Sequence, residues 1–233
     1  PRRATKVGDS LEEKGIARAL HDGVLSSGEA ARFSFEAGGE PVLGKLGKRY
    51  FLLATPSDDD LLYGLDYAPS ATVAEADFLL AIGLSDARPD LAAHEALLQD
   101  AASRGLTMVC VNPDREVIRL GTRELCAGAL AARYEQMGGA AAYVGKPHPL
   151  VYRLSLDMLG IAQKARVLAV GDGMETDISG AKIAGIDSLL VTGGLLAKQL
   201  GVSRLDSPEP AALAEICRQA KQRPRAAIPA LRW

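Results

Sequence analysis

The chain has 233 residues, of which 48% are hydrophobic and 24% are charged, and its formal net charge is −2 at pH 7. This length suits one large domain or two modest ones, and the hydrophobic content with a net charge near zero excludes an intrinsically disordered chain. Because there is no basic excess, neither nucleic acid nor an anionic membrane is expected as a partner.

The cysteines and the hydropathy pattern bear on the cellular compartment. Cys110, Cys126 and Cys217 are an odd number without metal-binding spacing, so reduced thiols are expected rather than disulfides or zinc ligands. No apolar run approaches the roughly 20 residues of a membrane span, and no charged-then-apolar leader opens the chain. We therefore expect a soluble, cytoplasmic protein.

Predicted strands and helices alternate along most of the chain. The amino-terminal 45 residues are polar and contain two short helical patterns, at 8–14 and 27–36. Apolar runs bounded by Gly, Pro or Asp then predict strands at 49–55, 77–82, 107–112, 142–145, 167–171 and 188–192. Between most of these runs lie helical patterns, at 89–104, 125–137, 149–159 and 176–184, and a further helix begins near 207. This alternation predicts an α/β fold with a doubly wound parallel sheet.

The segment that begins with the predicted strand 167–171 carries the strongest chemical signal. Asp172 follows this strand directly, and ligands of open α/β sheets bind at the carboxyl ends of strands. Thr176 is predicted to cap the next helix with Asp177 in its first turn, so that both aspartates face one crevice with Glu175 nearby. Clustered carboxylates of this kind suit Mg²⁺. The alternative is that Asp172 only forms a turn and Asp177 only supports a helix.

Lys146 ends a second strand-to-helix junction, 26 residues before Asp172. If the strands at 142–145 and 167–171 are neighbours in one sheet, about 4.8 Å apart, the ammonium group lies beside the carboxylates. Such a layout stabilises a transferring phosphoryl group. A lysine at a strand end is otherwise an ordinary solvated surface residue.

These two segments resemble motifs of a known family. Val144-Gly145-Lys146-Pro147, followed by Val170-Gly171-Asp172 and Thr176-Asp177, looks like the third and fourth motifs of haloacid dehalogenase-type (HAD) phosphatases, with subfamily IIA as the closest branch. The resemblance implies that Lys146 holds the phosphate, that Asp172 ligates Mg²⁺, and that Asp177 supports the metal or its waters.

The resemblance also implies a domain organisation and further substrate contacts. Residues 1–45 and 142–233 would form the HAD-like core, incomplete at its amino terminus, and residues 46–141 would form an inserted cap domain. Asn112 and Asp114, at the end of a cap strand, are expected to reach the substrate, as are Gly145 and His148 beside Lys146. Asn112 and Asp114 also fit an ordinary turn, and His148 also fits a turn residue. Pairing of caps into a homodimer is plausible by resemblance only.

The sequence departs from the family pattern at the nucleophile. HAD phosphatases attack phosphorus with the first aspartate of an Asp-x-Asp-Gly motif, and here the lookalike segment, Leu20-His21-Asp22-Gly23, has leucine at that place. No apolar strand precedes it, so we interpret the match as fortuitous and expect the true first and second motifs upstream of residue 1.

The function predicted from the sequence is Mg²⁺-dependent hydrolysis of a small phosphorylated metabolite through an aspartyl-phosphate. One alternative is a catalytically inactive protein that binds a phosphate ligand without the nucleophile. A nucleotide-binding oxidoreductase is a further alternative, but it would require a Gly-x-Gly-x-x-Gly turn that the segment beginning at Gly171 does not supply.

Overall fold

The computed structural model describes residues 2–37, 43–54, 60–84, 90–119 and 122–232. Its contacts divide the chain into two compact units, Pro1–Gly145 and Lys146–Trp233. Within the described ranges no helix combines the length and the apolar character needed to cross a bilayer.

A five-stranded parallel sheet forms the centre of the first unit. Its strand order is β2-β1-β3-β4-β7, where the strands are β1 (Arg49–Leu53), β2 (Ala68–Pro69), β3 (Phe78–Ala81), β4 (Thr107–Cys110) and β7 (Ala140–Tyr143). All four residues of β3 are buried. A strand that is covered on both faces needs apolar side chains at every position, which explains the unbroken apolar run in the sequence.

Helices cover both faces of this sheet. The helices of the first unit are α1 (Ala4–Glu13), α2 (Ser27–Ala37), α3 (Glu95–Ser103) and α4 (Ala127–Gln136). Leu98 of α3 and Tyr134 of α4 pack with Leu79 of β3 in one buried apolar cluster. Phe35 of α2 stacks on Phe78, with ring centroids 5.7 Å apart. Because successive strand residues point to opposite faces, Leu79 and Phe78 anchor different layers.

A short antiparallel hairpin follows β4. It consists of β5 (Glu116–Arg119) and β6 (Thr122–Leu125), which pair only with each other among the strands of the described residues. In this structure the contacts group residues 1–45 with residues 46–145. The domain boundaries inferred from the sequence, with 1–45 and 142–233 in a core and 46–141 in a cap, stay a prediction.

The second unit contains a three-stranded parallel sheet. Its order is β10-β9-β8, with β8 (Leu168–Gly171), β9 (Asp187–Val191) and β10 (Ala226–Ile228). The helices are α5 (Pro149–Met158), α6 (Ser179–Ala184), α7 (Ala197–Leu200) and α8 (Pro210–Gln219), and a π-helical turn, Met174–Ile178, precedes α6. Met174, Ile178, Leu190 and Ile216 form the buried apolar cluster of this unit.

The α/β fold class with parallel sheets predicted from the sequence is confirmed. The expectation that the strand before Lys146 adjoins the strand before Asp172 is wrong. β7 pairs with β4 in the five-stranded sheet, whereas β8 pairs with β9 in the three-stranded sheet. Periodicity along a sequence identifies strands, but it does not fix which strands pair.

Candidate active site

Asp172 lies directly after β8, at the carboxyl end of the three-stranded sheet. Its Oδ2 accepts a hydrogen bond from the backbone N–H of Leu195 at 3.0 Å, in the loop that follows β9. A Cβ on Gly194 would collide with this carboxylate, so only glycine permits the close approach. The loop after β9 therefore fixes one oxygen of Asp172.

Asp177 closes the first turn of the helical segment that follows. Its Oδ2 accepts a hydrogen bond from the Gly173 N–H at 3.0 Å, while the Asp177 N–H donates to the Gly173 carbonyl at 2.9 Å. The prediction that Thr176 caps this helix is wrong. The helical segment begins at Met174 as a π-helical turn, which places Thr176 inside it, and its amino-terminal cap residue, Gly173, has no side chain to donate or accept.

Lys146 forms an ion pair with Asp177. Its Nζ lies 2.5 Å from Oδ1 of Asp177, and the lysine side chain is 48% exposed against 14% for the aspartate. The carboxylate is thus held from two sides, by an ammonium group and by a backbone N–H. About half of the lysine side chain is exposed to solvent.

Tyr152 of α5 supports the turn that carries Asp177, and sequence reasoning missed it. Its hydroxyl lies 3.3 Å from the carbonyl oxygens of both Thr176 and Asp177, and its ring packs against Gly180, where a Cβ would collide with it. Burial, and secondarily the charge of Asp177, raises the pKa of Tyr152 to about 12, so the hydroxyl stays a donor at neutral pH. A helical tyrosine looks like ordinary core in a sequence, so no local signal could have identified this role.

The remaining predicted site residues lie on both sides of the boundary between the units. His148 is the residue before α5 and is half-buried. Gly145 is buried with φ +129°, and a Cβ there would collide with Pro113. The residues on either side of Pro113, Asn112 and Asp114, are half-buried. Gly145 thus lies close to the Asn112-Pro113-Asp114 segment within the first unit. Substrate binding by these four residues stays a prediction.

The donor chemistry of the two aspartates fits a hard cation. Oδ1 of Asp172 accepts no hydrogen bond from the described residues, so its lone pairs are available to Mg²⁺, which prefers few carboxylates and several waters. Among those same residues there is no group of three His, Cys, Asp or Glu side chains that could hold a metal. That Asp172 ligates Mg²⁺, and that Asp177 supports the metal or its waters, stays a prediction.

The segment at Leu20 does not have the structure expected of a nucleophile motif. Arg18–Leu20 is a 3₁₀ turn, residues 2–17 contain no strand, and Leu20 is 69% exposed. This geometry agrees with the interpretation of the Leu20-His21-Asp22-Gly23 match as fortuitous.

Comparison with known proteins assigns the family. A family model described as HAD-hydrolase-like matches residues 143–225. The crystal structure of a haloacid dehalogenase-like hydrolase from Brucella suis 1330 is similar over the whole of this chain and 80% of its own, with 30% identity and a TM-score of 0.79. The chain belongs to the haloacid dehalogenase-like family.

The HAD assignment confirms the resemblance inferred from the Lys146 and Asp172 segments, including that to subfamily IIA. Two curated HAD relatives are phosphatases. The chain is 32% identical over 92 residues to dihydroxyacetone phosphatase of Corynebacterium glutamicum (strain R), and 34% identical over 94 residues to ribonucleotide monophosphatase NagD of Escherichia coli K12. These alignments cover 39% and 40% of this chain and span 33% and 36% of the two relatives. A p-nitrophenyl phosphatase from Archaeoglobus fulgidus, with 21% identity and a TM-score of 0.69 over 97% of this chain and 78% of its own, shares the fold.

Proposed function

We propose that this chain is part of a Mg²⁺-dependent hydrolase that acts on the phosphate monoester of a small metabolite. The observation that carries the proposal is the ion pair between Lys146 and Asp177, next to Asp172 in the chain segment at the carboxyl end of β8. The phosphatase names of the curated HAD relatives support the same reaction class.

Lys146 is proposed to bind a phosphate oxygen. Its ammonium group is anchored on Asp177, and the side chain is 48% exposed, so the remaining N–H donors can bind a ligand while the ion pair keeps the orientation. A fixed cation stabilises the negative charge that spreads over the phosphoryl oxygens in the transition state. Asp177 acts through Lys146 and is therefore a positioning residue.

Asp172 is proposed to bind Mg²⁺ through Oδ1, the carboxylate oxygen that does not accept the Leu195 N–H. Asp177 or waters would supply further ligands. When bound, the metal supplies charge neutralisation at the phosphate. Gly171, Gly173 and Gly194 leave the space around these carboxylates free of side chains. Asn112, Asp114, Gly145 and His148 are proposed to contact the substrate.

The nucleophile is proposed to be an aspartate of an Asp-x-Asp-Gly motif upstream of residue 1. Its carboxylate would attack phosphorus, the bond between phosphorus and the ester oxygen would break, and the leaving alcohol would take up a proton. Water would then hydrolyse the aspartyl-phosphate to inorganic phosphate and the free carboxylate. The exposed 3₁₀ turn at Leu20 supports this placement, because it offers no carboxylate at the corresponding position.

The test uses the protein expressed with its natural amino terminus, p-nitrophenyl phosphate and Mg²⁺. We expect turnover that disappears in EDTA and returns with Mg²⁺. Lys146→Ala and Asp172→Asn should each reduce kcat/KM by about 10²–10³-fold, the loss typical of one transition-state contact. Lys14→Ala, at an exposed position after α1, is the matched control and should leave kcat/KM unchanged.

Three results would contradict the proposal. Turnover that persists in EDTA excludes the metal, and Lys146→Ala turnover equal to that of Lys14→Ala excludes the phosphate-binding lysine. Absence of turnover in the natural protein, with phosphate binding retained, excludes the hydrolase reaction itself.

A further inference from the structure

A cavity of about 900 Å³ lies within the Lys146–Trp233 unit, away from the carboxyl ends of the strands. Asp187 and Ser188, the first residues of β9, line it. Asp187 pairs with Leu168, whereas Leu190 pairs with Gly171, the residue before Asp172. At about 3.3 Å per residue, these two levels are roughly 10 Å apart along the strands. The cavity is therefore separate from the candidate active site.

Positive charge dominates the lining of this cavity. Five cationic side chains and one carboxylate, that of Asp187, line it; the cations are Lys182, Arg218, Lys221, Arg223 and Arg225. Only part of this charge is neutralised within the described residues. Arg218 pairs with Glu215, and Arg225 lies 3.9 Å from the Asp187 carboxylate. Neither Lys221 nor Arg223 pairs with a described carboxylate.

Lys221, one of the cations that line the cavity, has a strained backbone. Lys221 has φ +54° and follows the end of α8, where the Gln222 N–H donates to the Cys217 carbonyl at 3.0 Å. Helices usually end in this way on glycine, because a side chain in the left-handed region is unfavourable. Strain that is tolerated in this way is commonly found at binding sites.

The lining of the cavity also includes apolar residues. Ile178, Ile186, Ala214 and Cys217 contribute apolar side chains. These side chains give the cavity an apolar part beside its cations.

We propose that this cavity binds an organic anion of the nucleoside diphosphate class. The phosphates would contact Lys221 and Arg223, and the flat base would lie against the apolar side chains of the lining. A ligand of this kind uses both parts of the lining, whereas a simple inorganic anion uses only the cations.

Calorimetric titration of the full chain with ADP tests the proposal, with pyrophosphate and adenosine as partial probes. Every titration is made in the Lys146→Ala background, so that phosphate binding at the candidate active site does not contribute. We expect saturable binding of ADP at one site, with at least ten-fold weaker binding of pyrophosphate and of adenosine. The Kd should rise with NaCl concentration, because the contacts to phosphate are partly exposed.

Two variants locate the site. Lys221→Gly and Arg223→Ser should each raise the Kd for ADP at least five-fold. Lys221→Gly also removes the strained backbone, so its melting temperature should not fall, which separates lost binding from misfolding. Lys198→Ser, at an exposed position on α7 outside the cavity, should change the Kd less than two-fold.

The outcomes are distinguishable. No saturable ADP binding, or an equal loss in Lys198→Ser, overturns the site. Pyrophosphate that binds as tightly as ADP overturns the role of the apolar side chains, and adenosine that binds as tightly overturns the role of the cations. None of these results depends on whether the candidate active site hydrolyses phosphate.

Discussion

Replacing Asp177 by alanine removes two contacts of different strength. The carboxylate pairs with Lys146 at 2.5 Å and accepts the Gly173 N–H at 3.0 Å. Gly173 is buried, so its N–H cannot turn to water when the acceptor is lost. Lys146, in contrast, is half exposed and can be hydrated in place.

The exposure of each partner determines the expected magnitudes. The ion pair is worth about 0.5–1 kcal/mol, because the lysine side chain is about half exposed to solvent. An unsatisfied buried N–H costs about 1–3 kcal/mol. Asp177→Ala should therefore lower the free energy of unfolding by about 2–3 kcal/mol. Lys146→Met removes only the ion pair and should lower the free energy of unfolding by about 0.5–1 kcal/mol. Asp177→Asn keeps an acceptor oxygen for the Gly173 N–H, so its loss of stability should be close to that of Lys146→Met.

Urea denaturation followed by circular dichroism measures these differences, and hydrogen exchange of residues 171–178 reports the local effect. The Gly173 amide should exchange about 30-fold faster in Asp177→Ala, the equivalent of about 2 kcal/mol of lost local stability. It should change little in Asp177→Asn. If Asp177→Ala is no less stable than Lys146→Met and the Gly173 amide keeps its protection, the buried hydrogen bond does not have the role assigned to it.

Three further predictions concern single residues. Gly194→Ala should raise the Mg²⁺ concentration needed for half-maximal activity at least ten-fold, because the new Cβ displaces the Asp172 carboxylate. Gly83→Ala is the control, because a Cβ there meets no atom within 4 Å, and it should leave this concentration unchanged. Tyr152→Phe should lower the free energy of unfolding by about 1 kcal/mol through loss of the hydroxyl contacts, and an unaltered urea midpoint would contradict this. Burial raises the pKa of the Cys110 thiol to about 12, so as the pH rises this thiol ionises in the unfolded chain before it ionises in the folded one. The free energy of unfolding should therefore fall by up to about 1.4 kcal/mol per pH unit between pH 9 and 12. Cys110→Ala should lack this part of the pH dependence.

Much of the fold could be read from the sequence because buried strands leave a strong local pattern. The apolar run at 77–82 predicts β3, which the structure gives as Phe78–Ala81. The run at 167–171 likewise predicts β8. Strand pairing was not readable in this way, since β7 and β8 have similar patterns but belong to different sheets. Lys146 contacts Asp177 even though the strands before them, β7 and β8, are not paired as the sequence suggested.

Part of the candidate site had no local signal. Tyr152 lies 24 residues from Thr176 in sequence, and Gly194 lies 22 residues from Asp172, so each contact exists only after the chain has folded. The cations of the cavity extend from Lys182 to Arg225 and look like ordinary surface charge along the sequence.

The sequence alone determined six of the strands and most of the helices, because hydrophobic periodicity and glycine positions act over a few residues. It did not predict the short strands β2, β5, β6 and β10 or the short helix α7. It also determined the two family motifs that carry Lys146 and Asp172. Only the tertiary structure decided which strands pair, which backbone groups hold the two aspartates, and that dispersed cations share one cavity. These features depend on distances between residues far apart in the chain, which are set by packing of the whole unit and leave no trace in local composition.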